Sequence, residues 1–228
     1  MKSIRAYFVL FSILCGTSSL QAQITDLQKK WVLNANIGYN DAVSKVNQTP
    51  LHNQIYVRNF IFSPTLGYFI SNHLQVGVRT TFRNTHHEEW DVNREQNTLS
   101  QSFGLGVYSR NYSWLSKHFG FYLESGLMYS YDIANSKTHY YRGQPNLITS
   151  KGRGSSVQLY LRPGFTWQIN QRIAIDFTTQ LFDASYRYYK QKPGGDHQFS
   201  KSEEGFSANI SNSNRLLQNI QLGISIFI

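Results

Sequence analysis

Leu217-Gln-Asn-Ile-Gln-Leu-Gly-Ile-Ser-Ile-Phe-Ile228 closes the chain, and the reading of this stretch decides the fold. Ile220, Leu222, Ile224, Ile226 and Ile228 fall on one face of an extended backbone, while Asn219, Gln221, Gly223, Ser225 and Phe227 fall on the other. Alternation at period two marks a β-strand. Five branched aliphatics on one side need an apolar surrounding, and the mostly polar side needs water or hydrogen-bonding partners. In a secreted chain, lipid outside and a barrel lumen inside meet both needs.

The other end of the chain predicts secretion. Lys2 and Arg5 precede an apolar run from Ala6 to Cys15, and small or polar residues then lead to Leu20-Gln21-Ala22. This is the layout of a cleaved signal peptide over 1–22, leaving 23–228 as one barrel domain. The run is shorter than the ~20 apolar residues of a spanning helix. A lipoprotein reading of Cys15 ranks below the cleaved signal because Leu14 stands where a small residue is needed. Cleavage would remove the single cysteine, so no disulfide or thiol chemistry is expected of the mature chain.

Mean hydropathy is −0.41, as in a soluble protein, yet aromatics make up 15% and there are 16 glycines. That combination fits a membrane barrel, in which only alternate residues meet lipid. The formal charge is +9, or +7 once Lys2 and Arg5 are removed. Export and the lack of a basic run argue against nucleic acid, so a phosphate-bearing lipid surface is the expected partner of these charges.

Eight segments share the alternation: 31–39, 60–70, 74–82, 103–110, 119–131, 157–169, 173–181 and 218–228. Their apolar faces run Trp31 to Tyr39, Phe60 to Ile70, Leu74 to Phe82, Phe103 to Ser109, Phe119 to Tyr131, Val157 to Ile169 and Ile173 to Leu181, at every second residue. No charged residue lies on any of them. A midplane Arg or Lys facing lipid costs ~2–4 kcal/mol, so this segregation is what lipid demands. A soluble sandwich would place its charges the other way round. Short gaps (71–73, 113–118, 170–172) alternate with long ones (40–59, 83–102, 132–156, 182–217), predicting tight turns at one end and long loops at the other. The expected fold is therefore all-β: an eight-stranded antiparallel up-and-down transmembrane barrel, with a ten-stranded version using part of 132–156 as the lesser form. Both termini would be periplasmic. Trp31, Tyr68, Trp114 and Trp167 are placed in an aromatic girdle near that side. Pro64 and Pro163 each remove a ladder donor, and a local bulge is expected at both.

Ser63-Pro-Thr-Leu-Gly-Tyr-Phe-Ile-Ser-Asn-His-Leu74, Gly106-Val-Tyr-Ser-Arg-Asn-Tyr112 and Phe121-Tyr-Leu-Glu-Ser-Gly-Leu-Met-Tyr129 resemble the outer-membrane β-barrel domain family common in Bacteroidota. That family is labelled porin-like and is similar in build to small OmpA/OmpX-type barrels. The resemblance spans the mature chain and implies an outer-membrane location and assembly by the barrel assembly machinery. It says almost nothing about activity.

Candidate chemistry comes in three groups. Arg79, Arg110, Glu124, Arg162 and Asp176 fall on inward faces, either as a packed ion-pair network or as the lining of an anion path. Eight strands leave room for little more than side chains, and Phe69, Tyr108, Tyr122, Met128 and Tyr160 share that space, so an occluded lumen is expected. His86-His87-Glu88-Glu89 is the densest set of metal-type ligands, but neighbouring histidines on extended backbone point apart, and a solvated acidic loop is the reading. The seven histidines are assigned to loops and turns, without a Ser and carboxylate beside them at a lipid-facing position. A lipid A-modifying enzyme is therefore not expected, nor any catalytic residue, cofactor or metal. The outer loops carry Lys151, Arg153, Lys190 and Lys192 among tyrosines, as possible lipopolysaccharide contacts. Gly152 and Gly154 read as mobile loop tips. A monomeric structural or surface-interaction barrel is the expected function, with a small-solute channel as the alternative.

Overall fold

The computed structural model describes residues 27–48, 51–91, 94–141, 147–193, 201–210 and 220–228. The expected signal peptide lies outside these residues. Ten antiparallel segments are present: β1 (Trp31–Gln48), β2 (Leu51–Ser71), β3 (Leu74–Asp91), β4 (Arg94–Trp114), β5 (Phe119–Tyr140), β6 (Leu147–Gln168), β7 (Ile173–Thr178), β8 (Phe182–Pro193), β9 (Lys201–Ile210) and β10 (Gln221–Phe227). Each of β1 to β6 pairs with the next, and β10 pairs with β1. β7 and β8 follow one another along β6, while β10 pairs with β7 and β9 with β8. The result is a closed ring of eight strands.

Register fixes the ring's shape. From Ile37 the pairing runs through Phe62, Phe82, Phe103 and Tyr131 to Ser155 on β6. In the other direction it runs through Leu222 and Phe177 to Phe165, ten residues further along the same strand. A stagger of ten over eight strands gives a tilt of about 40°. Such a cylinder has space inside for side chains only.

The outer face carries the apolar belt that the alternation predicts. Leu33, Leu66, Val78, Val107, Leu127 and Leu159 are register neighbours across six strands, and all are exposed. Ser109 and Ser125 are polar positions on this face, and their hydroxyls bond to one another at 3.1 Å across β4 and β5. A closed ring with this belt outside and its charges inside is a membrane barrel.

Three expectations need correction. First, the expected long loops are largely strand. β1 runs on to Gln48 and β2 starts at Leu51, and β3 runs on to Asp91 and β4 starts at Arg94. β5 and β6 continue to Tyr140 and from Leu147, and β8 and β9 lie within 182–217. The segment 132–156 completes β5 and β6 and adds no strands to the ring. Hydrophobic periodicity stops where lipid stops, whereas the hydrogen-bond ladder continues with polar residues on both faces. A 22-residue strand at this tilt rises about 55 Å, roughly twice the ~25 Å apolar band of a barrel. Second, the seventh strand is not continuous over 173–181. Gly164 opposes Thr178 but Leu161 opposes Phe182, so one extra residue is accommodated beside Pro163. The Pro163 carbonyl still accepts from Thr179 N at 3.1 Å. This bulge reverses the phase, and even-numbered Phe182, Ala184 and Tyr186 share the outer rows beyond it. Pro64 behaves otherwise: the β2–β3 register is the same on either side of it, and the shift falls at Phe69/Ser71. Third, Trp114 is not in the girdle. Its even number places it inside β4, where it is 7% exposed and its Nε1 donates to the Asn72 carbonyl at 2.9 Å.

Candidate functional site

The lumen is closed in two tiers. At the short-turn end, Leu27, Val32, Phe69, Tyr112, Trp114, Ala174 and Phe227 pack into one apolar cluster. Leu27 reaches it because its backbone N–H and that of Gln28 both donate to Asn72 Oδ1, at 2.8 and 2.9 Å, and Lys29 N donates to the Phe69 carbonyl. The segment before β1 is thereby folded across the mouth. Phe227 lies inside this cap, and Ile228 takes the lipid side.

Above the cap, the five inward charges meet in one layer. Arg79 Nη2 and Arg110 Nε both donate to Glu124 Oε2 at 2.7 Å, and Arg110 Nη1 stands 3.8 Å from Asp176 Oδ2. Asn34 Nδ2 at 2.6 Å and the Ser225 hydroxyl also donate to Asp176 Oδ2. Arg162 opposes Glu124 in register, but its guanidinium stacks on Tyr160 at 4.4 Å. Arg110 lies over Tyr122 at 4.7 Å and Tyr108 at 5.3 Å. Gln75 Nε2 donates to the Tyr108 hydroxyl, and Tyr112 donates to Gln75 Oε1. None of these five charged side chains is more than 3% exposed. Burying ions costs several kcal/mol each unless each is paired and hydrogen-bonded. Arg79, Arg110, Glu124 and Asp176 pair with one another, whereas Arg162 Nε and Nη1 have no hydrogen-bond partner among the described residues and its guanidinium rests on the Tyr160 ring.

Beyond the layer lies a polar vestibule of about 380 Å³, bordered by Arg83, Asp132, Asp183 and Arg187 with Ser102, Ser130 and Ser185. It opens toward the hairpin end.

The outer wall holds the second charged region. Lys151 and Arg153 are on β6 and Lys190 and Lys192 on β8, so the loop assignment of these residues is corrected. Register sets Arg153 opposite Lys190, and Lys151 opposite Lys192. Directly below run Tyr131, Ser155 and Tyr188, then Tyr129, Val157 and Tyr186, with all four tyrosines exposed. Gly152 and Gly154 are not mobile tips. They lie on the inner side of β6, where a Cβ would run into the Tyr189 ring, so the absence of side chains lets Tyr189 seal β8 against β6.

The β1–β4 sector differs. Arg58 pairs with Asp41 at 4.0 Å, His86 with Glu88 at 3.4 Å, and Arg94 with Glu89 at 2.9 Å. His86 and His87 are therefore strand residues of β3 and not part of a loop, and His139 likewise belongs to β5. Glu95 accepts from the Tyr141 hydroxyl at 2.7 Å, which holds that phenol above its ordinary value.

The five lumen charges are legible in the sequence, but not Asn34, Tyr112 and Ser225 as their partners, nor Gln75 as the link between Tyr108 and Tyr112. The parity of each residue on its strand was the available signal. No protein-family model matches the chain, and no curated protein matches it. Among solved structures it is similar to Neisserial surface protein A, with 16% identity over 86% of this chain and 96% of that one and a TM-score of 0.35. It is similar also to the outer membrane protein OprG from Pseudomonas aeruginosa (11%, 91% and 99%, 0.37). A major outer membrane protein from Thermus thermophilus gives 9%, 87% and 99%, and 0.44. At these identities and scores no residue role carries across.

Proposed function

We propose that the protein is a monomeric, non-enzymatic outer-membrane barrel of the Bacteroidota type, with short turns and both termini in the periplasm and the long hairpins outside. Its role is structural or surface-interacting, and its lumen does not conduct. The observation that carries this reading is the pair of stacked seals, an apolar cap under a buried layer of three arginines and two carboxylates. An ion crossing the barrel would have to part the Arg79–Glu124–Arg110 cluster, whose members hold each other at 2.7 Å. Outward tyrosines at the level where the apolar belt ends support the membrane placement.

Planar-bilayer recording of the refolded protein tests the reading. No reproducible unitary conductance is expected, either for the parent or for Arg162→Ala. A stable conductance whose size or ion preference changes in Arg162→Ala would establish the small-solute channel instead. The polar vestibule favours that second reading only as far as the charged layer.

A further inference from the structure

We propose that the outer wall of β5, β6 and β8 is a binding surface for a phosphorylated glycolipid of the outer leaflet, centred on Arg153 and Lys190. The inference rests on the outer-membrane placement above, with the hairpin end outside.

The first support is the register. Arg153 opposes Lys190 and Lys151 opposes Lys192 on neighbouring strands, and Lys137 adds a further exposed cation on β5. Like charges directly opposite one another destabilise a strand pair, so the fold gains nothing from this arrangement. Among the described residues Lys137, Lys151, Arg153 and Lys190 are in no ion pair, whereas the cations Arg58 and Arg94 of the β1–β4 sector each have a carboxylate. The nearest acids in register are Glu203 and Glu204, opposite Tyr189 and Tyr188, and Glu204 accepts from the Tyr186 hydroxyl at 3.0 Å. An anion from outside the chain is the partner that this sector lacks.

The second support is height. The cation rows begin one outward position above Tyr131 and Tyr188, and tyrosine rings settle at the headgroup level of a membrane. Lipid phosphates lie at that level. The third is rigidity: Gly152 and Gly154 admit the Tyr189 ring against the inner side of the strand that presents Lys151 and Arg153. The chemistry of the lipid follows from what interleaves with the cations. Asn135, Thr149 and Ser155 share these outer rows and offer amide and hydroxyl groups to sugar hydroxyls. The Arg153 guanidinium can grip a phosphate through two N–H groups, with Lys190 supplying a second charge beside it.

Each cation near an anionic surface contributes about fivefold to affinity, and the contribution fades with salt. The test titrates the detergent-solubilised full chain with purified diphosphorylated lipid A and with its dephosphorylated form, both in zwitterionic micelles, following tryptophan fluorescence. The parent is expected to bind the phosphorylated form at least tenfold more tightly, with the preference shrinking between low and high salt. An Arg153→Gln/Lys190→Gln variant should lose that preference while keeping heat-dependent gel mobility, and Arg94→Gln, whose guanidinium is held by Glu89, should bind as the parent does. Equal binding of the two lipids by the parent would overturn the proposal without recourse to any variant. So would an undiminished preference in the double variant, or equal displacement by phosphatidylglycerol. Failure of the outer-membrane placement reads out separately, as absence of the native chain from the outer-membrane fraction.

Discussion

Arg162 and Arg153 stand nine residues apart on one strand and face opposite ways. Arg162 is 3% exposed and stacks on Tyr160, in a layer where Arg79 and Arg110 share Glu124 and the three guanidiniums lie over three tyrosine rings. Arg153 is exposed, opposes a lysine, and pairs with no carboxylate among the described residues. Inside the barrel, desolvation forces the chain to supply its own counter-charges. On the outer wall, water and lipid phosphate can supply them. The same side chain is thus part of a seal in one place and of a recognition surface in the other.

The comparison breaks most visibly at Glu124. Glu124→Gln leaves Arg79 and Arg110 buried without their shared carboxylate, and a loss of about 3–5 kcal/mol is expected. Urea unfolding of the barrel in micelles measures it. A loss below about 1 kcal/mol would mean that water reaches the layer and that the seal is not dry. Gly152→Ala acts between the two regions, because its methyl displaces the Tyr189 ring that packs β8 against β6. A cost of about 1–2 kcal/mol is expected, together with weaker preference for phosphorylated lipid A in the same titration. The smallest effect has the opposite sign. Lys190→Gln removes one of two facing cations and should stabilise the lipid-free barrel by about 0.2–1 kcal/mol. Arg58→Gln, which breaks an exposed pair with Asp41, should destabilise it slightly or not at all. Equal signs for these two variants would show that the outer cations are not in tension.

The lipid-facing set was legible because the membrane imposes a rule at every second residue, and one strand such as β10 displays it without reference to any other. The inward charges Arg79, Arg110, Glu124, Arg162 and Asp176 followed from the same parity. The continuation of β3, β5 and β6 past the belt was not legible, since neither face of His86, Asn135 or Lys151 is held to an apolar surrounding. Trp114 has the residue type of an interfacial girdle, but its parity on β4 turns it inward.

By itself, then, the order of residues determined that this chain closes into eight strands with lipid outside and charge within. Alternation is a local property, and burying backbone in lipid leaves the chain no freedom to pair otherwise. Which charges meet was decided only by the tertiary structure. Arg79, Arg110 and Glu124 come from three strands, and Arg153 meets Lys190 only through the register that the bulge beside Pro163 shifts by one residue. That shift turns every side chain beyond it to the other face of the wall, a consequence of pairing between distant segments that no window of sequence contains.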